Sequence, residues 1–386
     1  MSGVADRYDV IVLGLGGMGS SAARHLAHRG ASVLGLEQFS PAHALGSSHG
    51  DSRIVRMAYF EHPDYVPLLR RAYSLWDELG AELARPLLTR TGALMIGPPD
   101  CDVVSGTLAS VHRWGLEHEV LDQAQLQLRY PQFRLPTDDI AVLDADAGFV
   151  SPEQTVRAHL DLARRDGAEL RFGVKVAGWR LDGDGAVVEF AGGQARAERL
   201  VLAAGAWTGP LAPTLDVPLQ VVRRVMHYVR PVVDAAEFDP ARFPVYFIEI
   251  GPRDGIYGFP LIGDPAGGIK AGFHYRGGDV ASPDTVERGV SAAERAQMRA
   301  ALAARIPGLA GEHAEARVCM YTMTPDEHFV IDLLPATHGR VAIAAGFSGH
   351  GFKFTPVVGE ILADLVLSGA TEHPIGFLRA TRFGAD

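Results

Sequence analysis

The stretch YDVIVLGLGGMGSSAARHLAHRGASVLGLEQ, Tyr8 to Gln38, decides how the chain folds. Val10 to Leu13 is a short apolar, β-branched run of the kind buried in a parallel sheet. It stops at Gly14, Gly16 and Gly19, in G-x-G-x-x-G spacing. The spacing predicts a helix opening there, with Ala22, Ala23, Leu26 and Ala27 on its apolar face and Gly30 ending it. In such a unit Gly14 permits the tight turn, Gly16 lets a pyrophosphate approach the backbone, and Gly19 lets helix and sheet pack closely. A second run, Ala31 to Leu36, leads to Glu37, about 20 residues past the glycines, where an acid can bond a ribose hydroxyl. Strand, helix, second strand and acid in register imply dinucleotide binding, and they suit NAD and the adenosine half of FAD equally.

Working outward, 386 residues with 47% hydrophobic content can bury a large core, and this length suits two domains. A formal net charge of -10 without a basic cluster argues against nucleic acid as the main partner. The two cysteines, Cys101 and Cys319, lie far apart, which argues against a disulfide framework and for a reducing cytoplasm. No unbroken apolar run approaches ~18 residues, so no membrane span is expected. His328 neighbours Asp326 and Glu327, but donors at adjacent positions cannot all converge on one ion, and no metal is expected.

Beyond Glu37, a loop from Ser40 to Asp51 holds the start of GSSHGDSRIVRMAY, and loops this long are often functional. Pro67 to Glu82 reads as an amphipathic helix, Thr91 to Ile96 as a strand and Val103 to Gly115 as a helix. Asp122 to Pro136 is polar, proline-punctuated and expected at the periphery. A helix capped by Ser151 follows, with Pro152 first and Glu153 in its first turn; then come a Gly-Asp-Gly hairpin and a buried strand, Leu200 to Ala204. Pro218 to Ala271 is rich in β-branched and aromatic residues broken by Gly and Pro, which predicts a mixed or antiparallel sheet in a second domain. A helix over Ser291 to Ala304, a strand, a glycine-rich turn and a long helix from near Pro356 complete the chain.

Six segments taken together resemble the monomeric sarcosine oxidase and N-methyltryptophan oxidase family, within the D-amino-acid-oxidase-like flavoproteins. They are GLGGMG at 14–19, SSHGDSRIVRMAY at 47–59, YGFP at 257–260, the Lys270 and His274 pair, CMYTMTPDEHFVID at 319–332 and AAGFSGHGFKF at 344–354. The resemblance implies an α/β fold with a discontinuous Rossmann-type FAD-binding domain (1–85, 146–215 and 318–386). The second, α+β substrate domain (86–145 and 216–317) would be built on the mixed or antiparallel sheet. It implies FAD in place of NAD, a small amino acid and O2 as reactants, and a monomer.

The same resemblance assigns roles. Cys319, by itself a small buried hydrophobe, becomes the residue that joins FAD through an 8α-S-cysteinyl thioether. Arg56 and Lys353 become the clamp on a substrate carboxylate, fixing the reacting carbon beside the flavin. Lys270, among apolar and glycine neighbours, becomes the charge that favours O2 reduction. Arg53 becomes a second cation near the flavin ring, against the alternative of a loop brace through Asp51 or Glu61. His274, Tyr257 and Tyr321 would line the substrate cavity, His274 by shape and hydrogen bonding, and His49 would lie near the flavin. Gly346, Gly349 and Gly351 would present bare backbone N–H groups to the flavin's N1 side. Ser48 and Ser52 stand where the family pattern has His and Thr, and the segments VMHYV and YFIEI also differ from it. The expected reaction is oxidation of a secondary amino acid such as sarcosine, giving H2O2 and formaldehyde. The alternatives are an N-methyl-L-tryptophan or pipecolate/proline-type oxidase, a flavin dehydrogenase using another acceptor, an NAD-dependent reductase, and a catalytically silent flavin-binding protein.

Overall fold

The opening strand, Arg7–Leu13, lies between Val33–Glu37 and Gly193–Leu202 and runs parallel to both. Its residues Val10 to Leu13 are at most 1% exposed, so the continuous apolar run is explained by burial on both faces. The structure, a computed structural model, describes residues 7–275 and 280–383. Glu169–Phe172 extends the parallel sheet beside Val33–Glu37, and Val341–Ala345 joins the far end of Gly193–Leu202, again parallel. Antiparallel strands finish the edges: the hairpin Val176–Asp182 with Gly185–Phe190, and Val330–Leu333 beside Val341–Ala345.

The helix Gly17–His28 packs on this sheet between two others, Pro152–Arg165 and Thr355–Ser368. Ser151 caps the second as its sequence predicts, its hydroxyl accepting from the Gln154 N–H at 3.4 Å with Pro152 at the first position. The helix predicted over 67–82 spans Val66–Glu82, and the one over 103–115 spans Asp102–Trp114, closed by Gly115 at φ +60°.

A second eight-stranded sheet runs in the order His313–Met323, Gln220–Val229, Ile269–Phe273, Asp254–Gly258, Val245–Gly251, Ala93–Gly97, Ile140–Asp144, Glu119–Leu121. Its neighbours are antiparallel except Val245–Gly251 against Ala93–Gly97, so the sheet is mixed, and the chain has the α/β class expected. The strand carrying Cys319 forms an end of this second sheet, while Val330–Leu333 and Val341–Ala345 belong to the first. The helix Ala292–Arg305 carries a capping box between Ser291 and Glu294 and buries Met298 and Leu302 in the second core. Residues 122–136 lie at the periphery as expected, mostly exposed beside the sheet's last strand, with Leu126, Phe133 and Leu135 anchoring them in that core.

Candidate active site

Where the two sheets meet, a single cavity of about 790 Å³ runs from the glycine turn to Arg56 and Lys353. Gly14, Gly16, Glu37, Arg53, Arg56, Tyr257, His274, Cys319, Tyr321, Gly346, Gly349, Gly351 and Lys353 all line it. Gly19, His49 and Lys270 do not. The volume falls within the range of roughly 300–1,000 Å³ typical of cofactor and ligand pockets.

At the nucleotide end, Gly14 holds φ +88°, and a side chain on Gly19 would strike the Gly14 carbonyl oxygen. Gly19 is therefore a packing residue. Gly16 is open: a Cβ placed there would have Ser48 Oγ as its nearest neighbour, at 3.6 Å. The helix that begins at Gly17 has no side-chain cap and no acid in its first turn, so its positive end is suited to phosphate. Ser48 reaches it from the 40–51 loop, its Oγ accepting from the Gly17 N–H at 3.0 Å. Glu37 accepts from the N–H groups of Leu15 at 2.9 Å and Phe39 at 3.0 Å, so it braces the glycine turn as well as lining the cavity. Burial alone would raise its pKa, but hydrogen bonds from His43 and Leu15 outweigh that and hold it below the ordinary value.

Further in, Cys319 is 2% exposed, and its sulfur lies 3.6 Å from a guanidinium nitrogen of Arg53. Arg53 donates to the carbonyls of Ser47 at 2.9 Å and Ser52 at 2.8 Å. It does brace its loop, but through these carbonyls; Asp51 pairs with Arg317 and Glu61 with Arg56. Lys270, 4% exposed, sits behind the same loop and donates to Gly50 O at 2.7 Å, Ser52 O at 2.6 Å and Ser52 Oγ at 3.3 Å. Burial and neighbouring Arg53 push its pKa well below the ordinary lysine value, while the three oxygens suit all three N–H donors of an ammonium. His49 is 2% exposed, and neither ring nitrogen has a partner among the described residues. Burial, then Arg53 and Lys270, lower it to about 3, so its ring is neutral.

At the far end, Arg56 donates to both carboxylate oxygens of Glu61, at 2.7 and 2.5 Å, and lies 4.4 Å over the Tyr59 ring. Burial would raise Glu61, but Arg56, His350 and Lys353 bring it to about 2. Lys353 donates to His350 O at 2.8 Å, and burial with the nearby Arg56 lowers it to about 7. Two cations and one carboxylate leave a single net positive charge below that pH, which suits one substrate carboxylate. His350 Nε2 lies 3.0 Å from the Glu327 carbonyl, so that nitrogen carries the proton and Nδ1 accepts from Tyr59 Oη. Tyr321 Oη lies 3.5 Å from His274 Nδ1, and burial lowers His274 to about 3, which leaves a weak base. Gly349, at φ +84°, is glycine because any side chain there would strike the Tyr321 ring.

Sequence reading missed His350, Tyr59, the part played by Ser48 and the cavity-lining Arg224, and weighed Glu61 only as a brace for Arg53. Glu61 and Tyr59 stood within five residues of Arg56 and could have been weighed as its partners. Among the described residues no group of three or more His, Cys, Asp or Glu side chains is placed to hold a metal, and no helix is long and apolar enough to cross a membrane.

A family model described as DAO, FAD dependent oxidoreductase, matches residues 9–365. The chain belongs to this family. The monomeric sarcosine oxidase of Streptomyces avermitilis is 47% identical over 378 residues, covering 98% of each chain. The N-methyl-L-tryptophan oxidase of Salmonella dublin is 35% identical over 379 residues, covering 98% of this chain and 99% of its own. Among solved structures, the open form of NikD, an unusual amino acid oxidase essential for nikkomycin biosynthesis, superposes with a TM-score of 0.84 at 27% identity, covering 97% of both chains. The protein is thus an FAD-dependent oxidoreductase of the sarcosine oxidase type, and the NAD alternative falls. The acid-free N-terminus of the Gly17–His28 helix, the open Gly16 and the continuous cavity fit FAD.

Proposed function

We propose that the protein is a monomeric, cytoplasmic oxidase that converts a secondary N-methyl amino acid, sarcosine foremost, into the primary amino acid, formaldehyde and H2O2. One observation carries the reading: a single cavity joins the glycine turn, Cys319 and the Arg56–Lys353 pair. Bound FAD, tethered through Cys319, supplies a two-electron acceptor that O2 can reoxidise. Arg56 and Lys353 hold the substrate carboxylate, with Tyr257, Phe259 and Tyr321 lining the cavity beside them. His274 stays neutral and shapes the pocket, so the amine must reach the reacting position already as its free base. Arg53 and Lys270 place positive charge where O2 takes up electrons. The segments of the first sheet carry the cofactor in this reading, and the second sheet forms the substrate wall.

A second reading, a larger or aromatic N-methyl amino acid, draws on Phe60 and Phe247, which meet edge-to-face at 5.2 Å on the cavity wall. Peroxide release from sarcosine, N-methyl-L-tryptophan, pipecolate and proline separates the two, and no peroxide from any of them would sink both. Mass spectrometry of the denatured chain should show the added mass of FAD, lost in Cys319→Ala.

A further inference from the structure

Several contacts hold the loop 47–53. Ser48 Oγ accepts from Gly17, Ser47 Oγ donates to Met320 O at 2.7 Å, and Asp51 pairs with Arg317 at 2.9 Å. Another is Glu153. Its carboxylate accepts the Gly50 N–H at 2.5 Å and the Asp51 N–H at 3.2 and 3.3 Å. Glu153 opens the helix Pro152–Arg165, which itself packs on the nucleotide helix, so the carboxylate sits on a rigid mount.

The carbonyl of one of those peptide groups, Gly50–Asp51, faces Lys270. Gly50 O and Ser52 O take Lys270, while Ser47 O and Ser52 O take Arg53, which in turn stands beside the Cys319 sulfur. Gly50 has φ +94° and Asp51 φ +65°, a left-handed pair that turns successive N–H groups to one side and leaves carbonyls on the other. A carboxylate gripping the Asp51 N–H fixes the Gly50 carbonyl of the same peptide group, and so fixes Lys270 without touching it.

We infer that Glu153 is the positioning residue for Lys270. This rests on the reading above that Lys270 serves O2 reduction. Glu153→Gln keeps the size but loses the charge and half of the acceptor capacity, and Glu153→Asp keeps the charge with a shorter reach. In Glu153→Gln, air reoxidation of the reduced enzyme should slow by about tenfold, in keeping with the cost of misplacing a catalytic group. Anaerobic reduction by substrate should stay within about twofold of wild type, and Glu153→Asp should recover part of the loss in reoxidation.

Wild-type reoxidation in Glu153→Gln would overturn the inference. So would a uniform loss in both half-reactions that Glu153→Asp does not relieve. Should Glu153→Gln fail to fold, the same comparison made with Glu153→Asp alone decides, because a shorter carboxylate must still shift the loop. Lys270→Met keeps the two roles apart. If it reoxidises normally, the oxygen role of Lys270 falls; if it is slow while Glu153→Gln is not, only the role of Glu153 falls.

Discussion

Raising the pH should strip the carboxylate clamp of one of its charges, and the loss can be sized from the site. Lys353 has a pKa of about 7 against an ordinary 10.5, because it is buried and stands beside Arg56, with Glu61 only partly offsetting them. The shift is downward, so the ammonium is present below about pH 7 and is lost above it. The other groups in this corner hold one state from pH 6 to 9: Glu61 at about 2 stays ionised, while His350 at about 4 and His274 at about 3 stay neutral. An anion that needs the ammonium should therefore bind about tenfold more weakly at pH 8 than at pH 6, and about tenfold more weakly again at pH 9. The decline levels off where Arg56 holds the anion alone.

Acetate is the suitable probe, since it is ionised throughout this range and has no amine to confuse the titration. Its dissociation constant can be read from the perturbed visible spectrum of the flavin in the purified holoenzyme. Lys353→Met should bind acetate weakly at pH 6 and show no further loss up to pH 9. A flat wild-type profile, or a Lys353→Met profile that still falls, would refute the assignment of Lys353 to the anion site.

Two further tests address the scaffold. Gly19→Ala should lose flavin and destabilise the fold by about 3 kcal/mol, since its Cβ meets backbone that cannot rotate away, whereas Gly16→Ala should melt near wild type and lose flavin only; equal melting temperatures for the two would contradict the separation of roles. Acid should unfold the protein partly through His159, 1% exposed with both ring nitrogens unpartnered among the described residues, and burial holds it neutral in the fold. Because its folded pKa is depressed, stability is retained above the ordinary 6.5 and lost as pH falls below it, at up to about 1.4 kcal/mol per pH unit. His159→Leu should shallow that slope in urea titrations, and an unchanged slope would exclude the residue.

How far the site could be read in advance depended on whether each residue's reason lay nearby in the chain. Gly19 answers to the Gly14 carbonyl one turn away, and Gly14 to its own positive φ, so their spacing alone reported them. Ser151, Pro152 and Gly115 announced helix ends for the same reason. Lys270 was legible only as a charge among apolar neighbours; that its acceptors would be the carbonyls of Gly50 and Ser52 depends on a loop 218 and 220 residues away. Glu153 shows how a correct local reading can still be incomplete. An acid in the first turn of a helix satisfies the dipole rule, and that rule gave no cause to look for a second partner. Its contact with residues 50 and 51 arises because two elements, each predictable by itself, meet at the helix end. Side chains whose local role is already satisfied are therefore where sequence reasoning undercounts function, and Glu37, which braces Leu15 and Phe39 as well as lining the nucleotide cavity, is a second instance from the same chain.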